Sequence, residues 1–329
     1  MNTQNKLNFI YCYDTNFNTQ ATCSIISLLD NINESINIHI LHNDLSTIKK
    51  FPQAIEKHIN LSKMYKYEFK HTEIKFPNLE SSHVSQATYY RLFINQYIKE
   101  QYKFIVYIDA DIICISDPIA SIRNKITEIE KNNMLLAAKT EIEKTLTEKE
   151  LEVYLKMDFF KKYWPFDRLP INNKYFNAGF MIIHLELWNK KNLFEKVLKT
   201  MFELNDKIVA WDQDVLNVAI NDNYLELESK FNLLSKHYLN ENDEIHFLHY
   251  YGSKKPWTTD GIFDKNSEFY HENYRKLYNK KYHIKHNWKK HSLKQLIVNI
   301  LNLKIFSLKF PINFIKELLV SLIIKNKLN

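Results

Sequence analysis

FIVYIDAD, residues 104–111, is the most informative segment of this chain. Five apolar residues from Phe104 to Ile108 predict a buried strand, and Asp109 and Asp111 follow it directly. Ligands of open α/β sheets bind at the carboxyl ends of the strands, so both carboxylates are expected at a binding site. Two such charges repel each other unless a cation lies between them, and a divalent metal that also binds a diphosphate meets that need. A strand that simply ends in solvated acids is the alternative, because short motifs recur by chance.

The surrounding sequence alternates between short apolar strands and helical patterns. Strands are predicted over residues 7–13, 36–41, 67–69, 104–108, 135–138, 180–184 and 245–248, and helices over 21–29, 48–59, 89–97, 187–204 and 213–220. This alternation is typical of an α/β domain with a mostly parallel central sheet. The sequence shows no internal repeat and no low-complexity linker, so we expect one domain over residues 1–278.

Composition excludes several classes of protein. The 329 residues are 45% hydrophobic and 25% charged, which is ordinary for a globular protein and too apolar for a disordered one. The chain has only three glycines, too few for the glycine-rich phosphate loops of P-loop and dinucleotide-binding proteins, so both classes are excluded. The three cysteines are far apart, so neither a disulfide framework nor a zinc cluster is expected, and a reducing compartment is indicated. Without a signal-peptide pattern or a run of 18 apolar residues, we expect a cytoplasmic protein.

The last 50 residues differ from the others in charge. Residues 280–329 contain eleven lysines, no arginine and one acid, a net charge of +10, which leaves −3 for the preceding residues out of the total of +7. Apolar residues recur there at helical spacing, in the sets Leu293, Leu296, Ile297, Ile300, Leu301 and Ile312, Ile315, Leu318, Leu319, Leu322, Ile323. We therefore expect a basic amphipathic tail, residues 279–329, that contacts an anionic membrane surface. Packing on the body is the alternative, whereas nucleic acid is not expected, because arginine is lacking and the apolar sets are aliphatic.

Three further segments carry polar residues, two of them beside one of the scarce glycines. They are KYFNAGFMIIHLELW (174–188) with Asn177, Ala178 and Gly179, WDQDVLN (211–217) with Asp212, Gln213 and Asp214, and HFLHYYGSKKPW (246–257) with His249, Gly252 and Lys255. Taken singly, each has an ordinary explanation: a tight turn, a helix-capping acid, and a core histidine beside a surface lysine.

Together with FIVYIDAD, and in this order, the segments resemble the retaining glycosyltransferases of family 8. The resemblance runs from about Asn8 to Trp257. It is strongest to bacterial lipooligosaccharide galactosyltransferases and lipopolysaccharide glucosyl- and galactosyltransferases. The basic tail also resembles the membrane-attaching end of those enzymes. It implies a catalytic domain of GT-A type over residues 1–278. The implied activity is metal-dependent transfer of galactose or glucose from a UDP-sugar to a glycan or glycolipid acceptor, such as a lipopolysaccharide or lipooligosaccharide core, at the inner face of the cytoplasmic membrane.

The resemblance also implies roles for individual residues. Asp109, Asp111 and His249 would hold the metal, Mn²⁺ in preference to Mg²⁺ because of the imidazole. The donor-binding residues would be Cys12, Asp14, Asn16 and Phe17 at uracil and ribose, Arg91 with His83 and Thr88, and Asn177, Ala178, Gly179, Gly252 and Lys255. Phe17 would stack on the base, Gly179 would let the backbone approach the ligand, and Lys255 would neutralise the diphosphate as UDP leaves. Asp212 and Gln213 would be the catalytic residues that line the sugar.

Retention of configuration needs either a double displacement or a same-face attack guided by the departing phosphate. For a double displacement the sequence offers only Gln213 and its neighbours Asp212 and Asp214. Because glutamine is a poor nucleophile, we favour same-face attack, with Gln213 positioning the transition state. Glu141 is the nearest match to a further acid of the family and receives a minor role. Residues 140–174 are expected to form loops over donor and acceptor.

Two other functions remain open on the sequence alone. Phosphatases and phosphotransferases of the haloacid dehalogenase type also begin from a strand that ends in D-x-D, but Ile113 stands where their pattern has threonine. A non-catalytic membrane-binding protein would use the tail and would gain little from keeping Asp109, Asp111, Asp212 and His249 together. Metal-dependent UDP binding separates these alternatives, since only the transferase predicts it. The same resemblance favours galactose over glucose as the transferred sugar.

Overall fold

The computed structural model describes residues 6–71, 73–79, 85–98, 102–145, 164–235, 244–252, 254–285 and 290–327. Its strands are β1 (Asn8–Tyr13), β2 (Ile36–His42), β3 (Leu61–Glu68), β4 (Phe104–Ile108), β5 (Ile112–Cys114), β6 (Leu136–Glu143), β7 (Lys174–His184), β8 (Tyr224–Glu226), β9 (Leu233–Leu234) and β10 (Phe247–His249). Its α-helices are α1 (Asn18–Asn31), α2 (Gln53–Glu56), α3 (Ile94–Tyr97), α4 (Ile119–Lys131), α5 (Pro165–Arg168), α6 (Leu185–Lys190), α7 (Leu193–Leu204), α8 (Trp211–Ile220), α9 (Ser267–Leu277), α10 (Lys290–Leu301) and α11 (Pro311–Lys327). Short 3-10 helices lie between several of these elements, the longest of them over Gln86–Phe93.

A seven-stranded sheet in the order β3-β2-β1-β4-β7-β6-β8 lies at the centre. β7 is antiparallel to both its neighbours, and the other strands run in one direction, which confirms the predicted mostly parallel sheet. Every residue of β1 and β2 is buried, as parallel strands covered on both faces should be. In β4, Ile105 and Tyr107 join one apolar cluster while Val106 and Ile108 join another, so the strand alternates between two cores.

A smaller sheet, in the order β5-β10-β9, continues from the end of β4. β5 begins one residue after Asp111, and β10 pairs with it in antiparallel fashion, with His249 opposite Ile112. β7 passes the end of β4 on the other side, where the amide of Asp109 donates to the carbonyl of Gly179 over 2.8 Å. The two sheets therefore bring three distant segments of the chain to the carboxyl end of β4.

Two predicted helices differ from the structure for identifiable reasons. The helix predicted over 48–59 is reduced to α2, because Pro52 has no amide donor and its ring prevents a helix from passing through it. The helix predicted over 187–204 is divided into α6 and α7 at Asn192, whose left-handed backbone, with φ of 48°, ends α6.

Several predicted segments have different bounds. The predicted strand 67–69 is the end of β3, the strand 245–248 is β10, and the helical segment 89–97 is 3-10 helix up to Phe93 and α-helix only in α3. β7 begins at Lys174, so Asn177 and Gly179 lie within a strand rather than in a turn, and β6 extends to Glu143 into the stretch predicted as loop. The pairing of β6 with β7 shifts register twice beside these residues. Of the predicted loops over the site, residues 146–163 lie outside the described part of the chain.

The C-terminal helices pack on the body but leave many apolar side chains exposed. Leu296 of α10 and Phe314 and Leu318 of α11 form a small cluster with Ile262 of the body and with Tyr282, which precedes both helices. The exposed large apolar residues described in this region are Leu293, Ile297, Val298, Ile300, Leu301, Leu303, Phe306, Ile312, Ile315, Leu319 and Val320. Within the described residues, no helix combines the length and the apolar character needed to cross a membrane.

Candidate active site

The sheets bring together the three residues predicted to bind a metal. One ligand atom each from Asp109, Asp111 and His249 lies within 4.8 Å of the other two. Asp109 and His249 belong to segments that are far apart in the sequence, so folding rather than chain proximity makes this cluster. Two carboxylates and an imidazole form a donor set that suits Mn²⁺ and related divalent ions. The residues present therefore fit the expected metal.

His249 is held in place on both of its nitrogens. Its Nδ1 lies 2.9 Å from Oδ1 of Asn232, and its Nε2 lies 3.3 Å from Oδ1 of Asp111. A partner on Nδ1 fixes the orientation of an imidazole whose other nitrogen faces a metal. Gly179 adds a steric condition, because a Cβ at that position would overlap Cε1 of His249. The side chain that lies closest to the Gly179 backbone is therefore His249, and the predicted approach of a ligand to this backbone stays a prediction.

Lys255 forms an ion pair with Asp111. Burial opposes ionisation of Asp111, but the charges of Lys255 and His249 outweigh it and hold the pKa of Asp111 well below its usual value. The absence of a side chain at Gly261 lets the backbone of Lys255 lie close to it, since a Cβ on Gly261 would clash with the carbonyl of Lys255. Gly252, in the same segment, is exposed and has φ of 85°.

Arg91 connects the metal cluster to the predicted sugar site. Its buried guanidinium donates to the carbonyl of Ala178 over 2.6 Å and lies 3.1 Å from Oδ1 of Asp109 and 2.7 Å from Oδ2 of Asp212. The guanidinium also lies over the ring of Tyr107, 4.6 Å from its centre, and the hydroxyl of Tyr107 donates to Asp109. A single buried cation thus balances the carboxylate of Asp212, which is buried, and that of Asp109, which is partly buried.

The two carboxylates that contact Arg91 have raised pKa values. Burial raises the pKa of Asp109, and repulsion from Asp111 adds to the rise although Arg91 opposes it. Burial raises the pKa of Asp212 to about 6, again against the attraction of Arg91 and a hydrogen bond from Thr88. The Thr88 hydroxyl donates to Oδ1 of Asp212 over 2.7 Å. Thr88 and Arg91, which share the 3-10 helix Gln86–Phe93, therefore contact the same carboxylate.

Gln213 is oriented by contacts on both ends of its amide. Its Oε1 accepts from the amide of Ala178 over 3.0 Å, and its Nε2 donates to Oε2 of Glu141 over 3.2 Å. The same Glu141 oxygen accepts from Nδ2 of Asn177 over 3.2 Å. Asn177 in turn accepts from Asn232 over 2.9 Å, so the network reaches the partner of His249. Glu141, for which only a minor role is predicted, therefore contacts two of the predicted site residues, Asn177 and Gln213.

Asp214 is committed to the scaffold. Both its oxygens pair with Arg168, at 2.5 and 2.8 Å. The hydroxyl of Tyr175 and the amides of Val209 and Ala210 also donate to this carboxylate. These contacts fix the start of α8, and they leave Asp212 and Gln213 as the polar side chains of this helix that join the Arg91 and Glu141 networks.

The segment predicted to hold uracil and ribose follows β1. Cys12 is buried at the end of the strand, where burial raises the pKa of its thiol far above the usual value. The carboxylate of Asp14 accepts from the amide of Asn16 over 2.9 Å and so forms the turn that precedes α1. Phe17 is half-buried and meets the indole of Trp257 edge-on, with 6.2 Å between ring centres. His83 lies outside the described residues.

Two residues of the network were missed by the sequence analysis. Tyr107 belongs to β4 and lies two residues before Asp109. Because side chains alternate along a strand, the sequence could have predicted that Tyr107 and Asp109 face the same side. Asn232 comes from a short connection before β9 and carries no local signal. Its contact with His249 depends on the pairing of β9 with β10.

Comparison with known proteins agrees with this arrangement. A model of the glycosyl transferase family 8 matches residues 8–261. General stress protein A of Bacillus subtilis is 26% identical over 294 residues, which cover 80% of this chain and 92% of that protein. Lipopolysaccharide 1,3-galactosyltransferase of Salmonella typhimurium is 27% identical over 277 residues, covering 80% of this chain and 77% of the relative.

A solved structure has the same fold. The galactosyltransferase LgtC, crystallised with donor and acceptor sugar analogues, superposes with a TM-score of 0.65 and 18% identity over 82% of this chain and 96% of that one. The GT-A type of fold is thereby confirmed, and the haloacid dehalogenase alternative is set aside. Since the family model spans more than three quarters of the sequence, this chain belongs to glycosyl transferase family 8 and is a glycosyltransferase.

Proposed function

We propose that the protein is a retaining hexosyltransferase that moves galactose or glucose from a UDP-sugar to a lipopolysaccharide or lipooligosaccharide core. The observation that carries this proposal is the convergence of Asp109, Asp111 and His249 beside Arg91 and Lys255. Two acids and an imidazole for a metal, with two cations next to them, suit a diphosphate that gains negative charge as it leaves. The names of the lipopolysaccharide galactosyl- and glucosyltransferases among the relatives support the acceptor class.

The metal would be Mn²⁺, with Mg²⁺ as the alternative, held by Asp109, Asp111 and His249. When bound, it supplies a positive charge that stabilises the leaving diphosphate. Lys255 provides a second positive charge on the same side, and Arg91 keeps Asp109 and Asp212 in a fixed relation to each other. These residues stabilise charge that develops only as the sugar–phosphate bond breaks, which is the form of stabilisation that raises a rate.

The surroundings of Gln213 support same-face attack over a double displacement. An enzyme nucleophile would need a carboxylate with an available oxygen, yet both oxygens of Asp214 are engaged by Arg168. Asp212 is paired with Arg91 and Thr88, which suits a residue that reads sugar hydroxyls. Gln213, fixed by Ala178 and Glu141, would position the transition state. Trapping a glycosyl–enzyme adduct on Asp212 by mass spectrometry would contradict this mechanism.

We further propose that the tail places the enzyme on the inner face of the cytoplasmic membrane. Leu301 and Phe306 are each 74% exposed, Ile312 is 68% exposed, and lysines of a strongly basic segment lie between such residues. Apolar side chains flanked by lysine favour an anionic lipid surface. A lipid-linked glycan acceptor lies at such a surface.

The decisive experiment measures UDP release from UDP-galactose, UDP-glucose and the N-acetylhexosamine donors, with Mn²⁺, with Mg²⁺ and with chelator. We expect release from one hexose donor that requires the metal and falls at least 100-fold in Asp111→Asn. Asp206→Asn, at an exposed acid that is not part of the cluster, is the matched control and should keep full activity. Absence of both turnover and UDP binding with either metal would contradict the proposal and favour a non-catalytic role for the tail.

A further inference from the structure

Lys285 belongs to the basic tail in sequence but lies at the predicted nucleotide site in the structure. Its Nζ donates to the backbone carbonyl of Asn16 and lies 5.9 Å from the centre of the Phe17 ring. Burial lowers the pKa of Lys285, and the negative charge of Asp14 opposes that shift. These three residues are among the four predicted to hold uracil and ribose. The domain boundary predicted after residue 278 therefore separates Lys285 from residues that it contacts.

The backbone of Lys285 is attached to the body beside the same site. Its amide donates to the carbonyl of Trp257 over 2.7 Å, and position 285 pairs with Thr258 as a parallel bridge. Trp257 is also the residue that meets Phe17 edge-on. Two residues earlier, Nδ1 of His283 lies 2.6 Å from the hydroxyl of Tyr270. Residues 283–285 are therefore held against the wall of the nucleotide site.

The last helix holds the start of this segment. The two carboxylate oxygens of Glu317, on α11, accept from the amides of Lys281 and Tyr282 over 2.9 and 2.6 Å. Glu317 is the one acid among residues 280–329, so the contact stands out from a segment of otherwise basic charge. The ring of Tyr282 packs against Phe314 one helical turn away from Glu317. A continuous chain of contacts thus runs from α11 through residues 281–285 to Asn16 and Phe17.

We propose that Lys285 is a further donor-binding residue and that Glu317 positions it, which makes the C-terminal region part of the nucleotide site. This inference rests on the proposed function, because it needs a uridine nucleotide at residues 14–17. An ammonium group has three N–H donors. One is directed at the carbonyl of Asn16, and a pyrimidine carbonyl or a ribose hydroxyl can accept from the others. Lys285 therefore recognises the nucleoside, whereas Lys255 recognises the diphosphate.

The test is calorimetric binding of UDP and UMP to the full chain with Mn²⁺. Lys285→Ala should weaken both nucleotides by a similar factor, about five- to twentyfold, because both carry the same nucleoside. Lys255→Ala should weaken UDP far more than UMP. Lys285→Arg keeps a donor cation and should recover most of the affinity. Lys304→Ala, which removes an exposed lysine from the same basic region, is the control for loss of charge and should bind as the wild type does.

Glu317→Gln tests the positioning step. Its amide offers one acceptor oxygen instead of two, so UDP binding should weaken by part of the Lys285→Ala effect. Adding Glu317→Gln to Lys285→Ala should cause little further loss, because the two residues act through one contact. UDP binding that is unchanged in Lys285→Ala while the wild type binds would overturn this inference alone. Failure of the wild type to bind UDP with Mn²⁺ would overturn the proposed function, and this inference with it.

Discussion

The backbone of Gly179 lies against the imidazole of His249, and a Cβ at position 179 would overlap Cε1 of that ring. Gly179 is therefore needed for the metal site, although it does not itself offer a ligand. We expect Gly179→Ala to displace His249 and to lower Mn²⁺ affinity at least tenfold, with a matching loss of donor turnover. Mn²⁺ titration with an intrinsic fluorescence or calorimetric readout measures the effect.

A double mutant separates this clash from general damage to β7. In His249→Ala the space beside position 179 is vacant, so adding Gly179→Ala should change Mn²⁺ affinity little further. If the two substitutions instead weaken metal binding independently, the contact between Gly179 and His249 is not the cause.

Glu141 should act on Gln213 without being a catalytic residue itself. Its Oε2 accepts from both Gln213 and Asn177, so Glu141→Ala leaves the Gln213 amide without one of its two partners. We expect kcat for donor hydrolysis to fall about 10- to 100-fold with KM for the donor nearly unchanged. Glu141→Gln retains an acceptor oxygen and should lose less. Glu143→Gln, on the same strand, is the control, and a drop there of equal size would point to disruption of β6.

Lys255 and the metal should compete for Asp111. In the structure Lys255 pairs with Asp111, and a cation beside the site repels an incoming divalent ion. We therefore expect Lys255→Ala to bind Mn²⁺ more tightly in the absence of nucleotide, by about three- to tenfold, equivalent to about 1 kcal/mol. UDP should bind more weakly to the same variant. Lys254→Ala removes a neighbouring exposed lysine and serves as the control; weaker Mn²⁺ binding in Lys255→Ala would contradict the competition.

The sequence was most informative where local pattern and topology agree. A buried strand that ends in Asp109 and Asp111 predicted the position of the cluster, because the carboxyl ends of parallel strands are where ligands bind. The helix predicted over 48–59 is wrong because apolar spacing takes no account of Pro52, which confines the helix to α2. Local periodicity alone could not reveal that β7 reaches back to Lys174, because its pairing with β6 is irregular there.

Contacts between distant segments were beyond the sequence. Asn232 meets His249 only because β9 lies beside β10, and Lys285 meets Asn16 only because the C-terminal region folds back on the body. Composition assigned Lys285 to the tail, since the charge of residues 280–329 is uniformly basic apart from Glu317. The charge of a segment indicates what it can bind but not which of its residues contact the rest of the protein.

Stability should fall in mild acid because a buried histidine resists protonation. Burial lowers the pKa of His39 to about 4, below the ordinary value of 6.5 that it regains in the unfolded chain. Between pH 6.5 and 4 the unfolded chain therefore binds a proton that the folded state does not. The titration of His39 therefore does not affect the free energy of unfolding above pH 6.5, and it lowers this free energy as the pH falls from 6.5 toward 4.

The His39→Gln variant tests this pH dependence. His39→Gln removes the titration, so its free energy of unfolding should depend less on pH, by on the order of 2 kcal/mol between pH 7 and pH 4. Urea unfolding at several pH values gives the slopes. His58→Gln, at a more exposed histidine that pairs with Asp30, is the matched control. Parallel profiles for the wild type and His39→Gln would show that His39 does not titrate as its burial requires.

The exposed apolar side chains of the tail should bind lipid without contributing to folding. Leu301 and Phe306 are each 74% exposed, so replacing both with serine removes little buried area and should change the free energy of unfolding by less than about 0.5 kcal/mol. Insertion of two such side chains into an anionic bilayer is worth about 3 kcal/mol or more. Co-sedimentation of Leu301→Ser/Phe306→Ser with anionic vesicles should therefore fall at least tenfold, while UDP release from the donor stays at the wild-type rate. Ile59→Ser, at a residue of the body that is 87% exposed, controls for the loss of an exposed apolar side chain. If the double variant sediments with vesicles as the wild type does, these residues do not form the lipid contact, and the tail serves only to pack against the body and to hold Lys285.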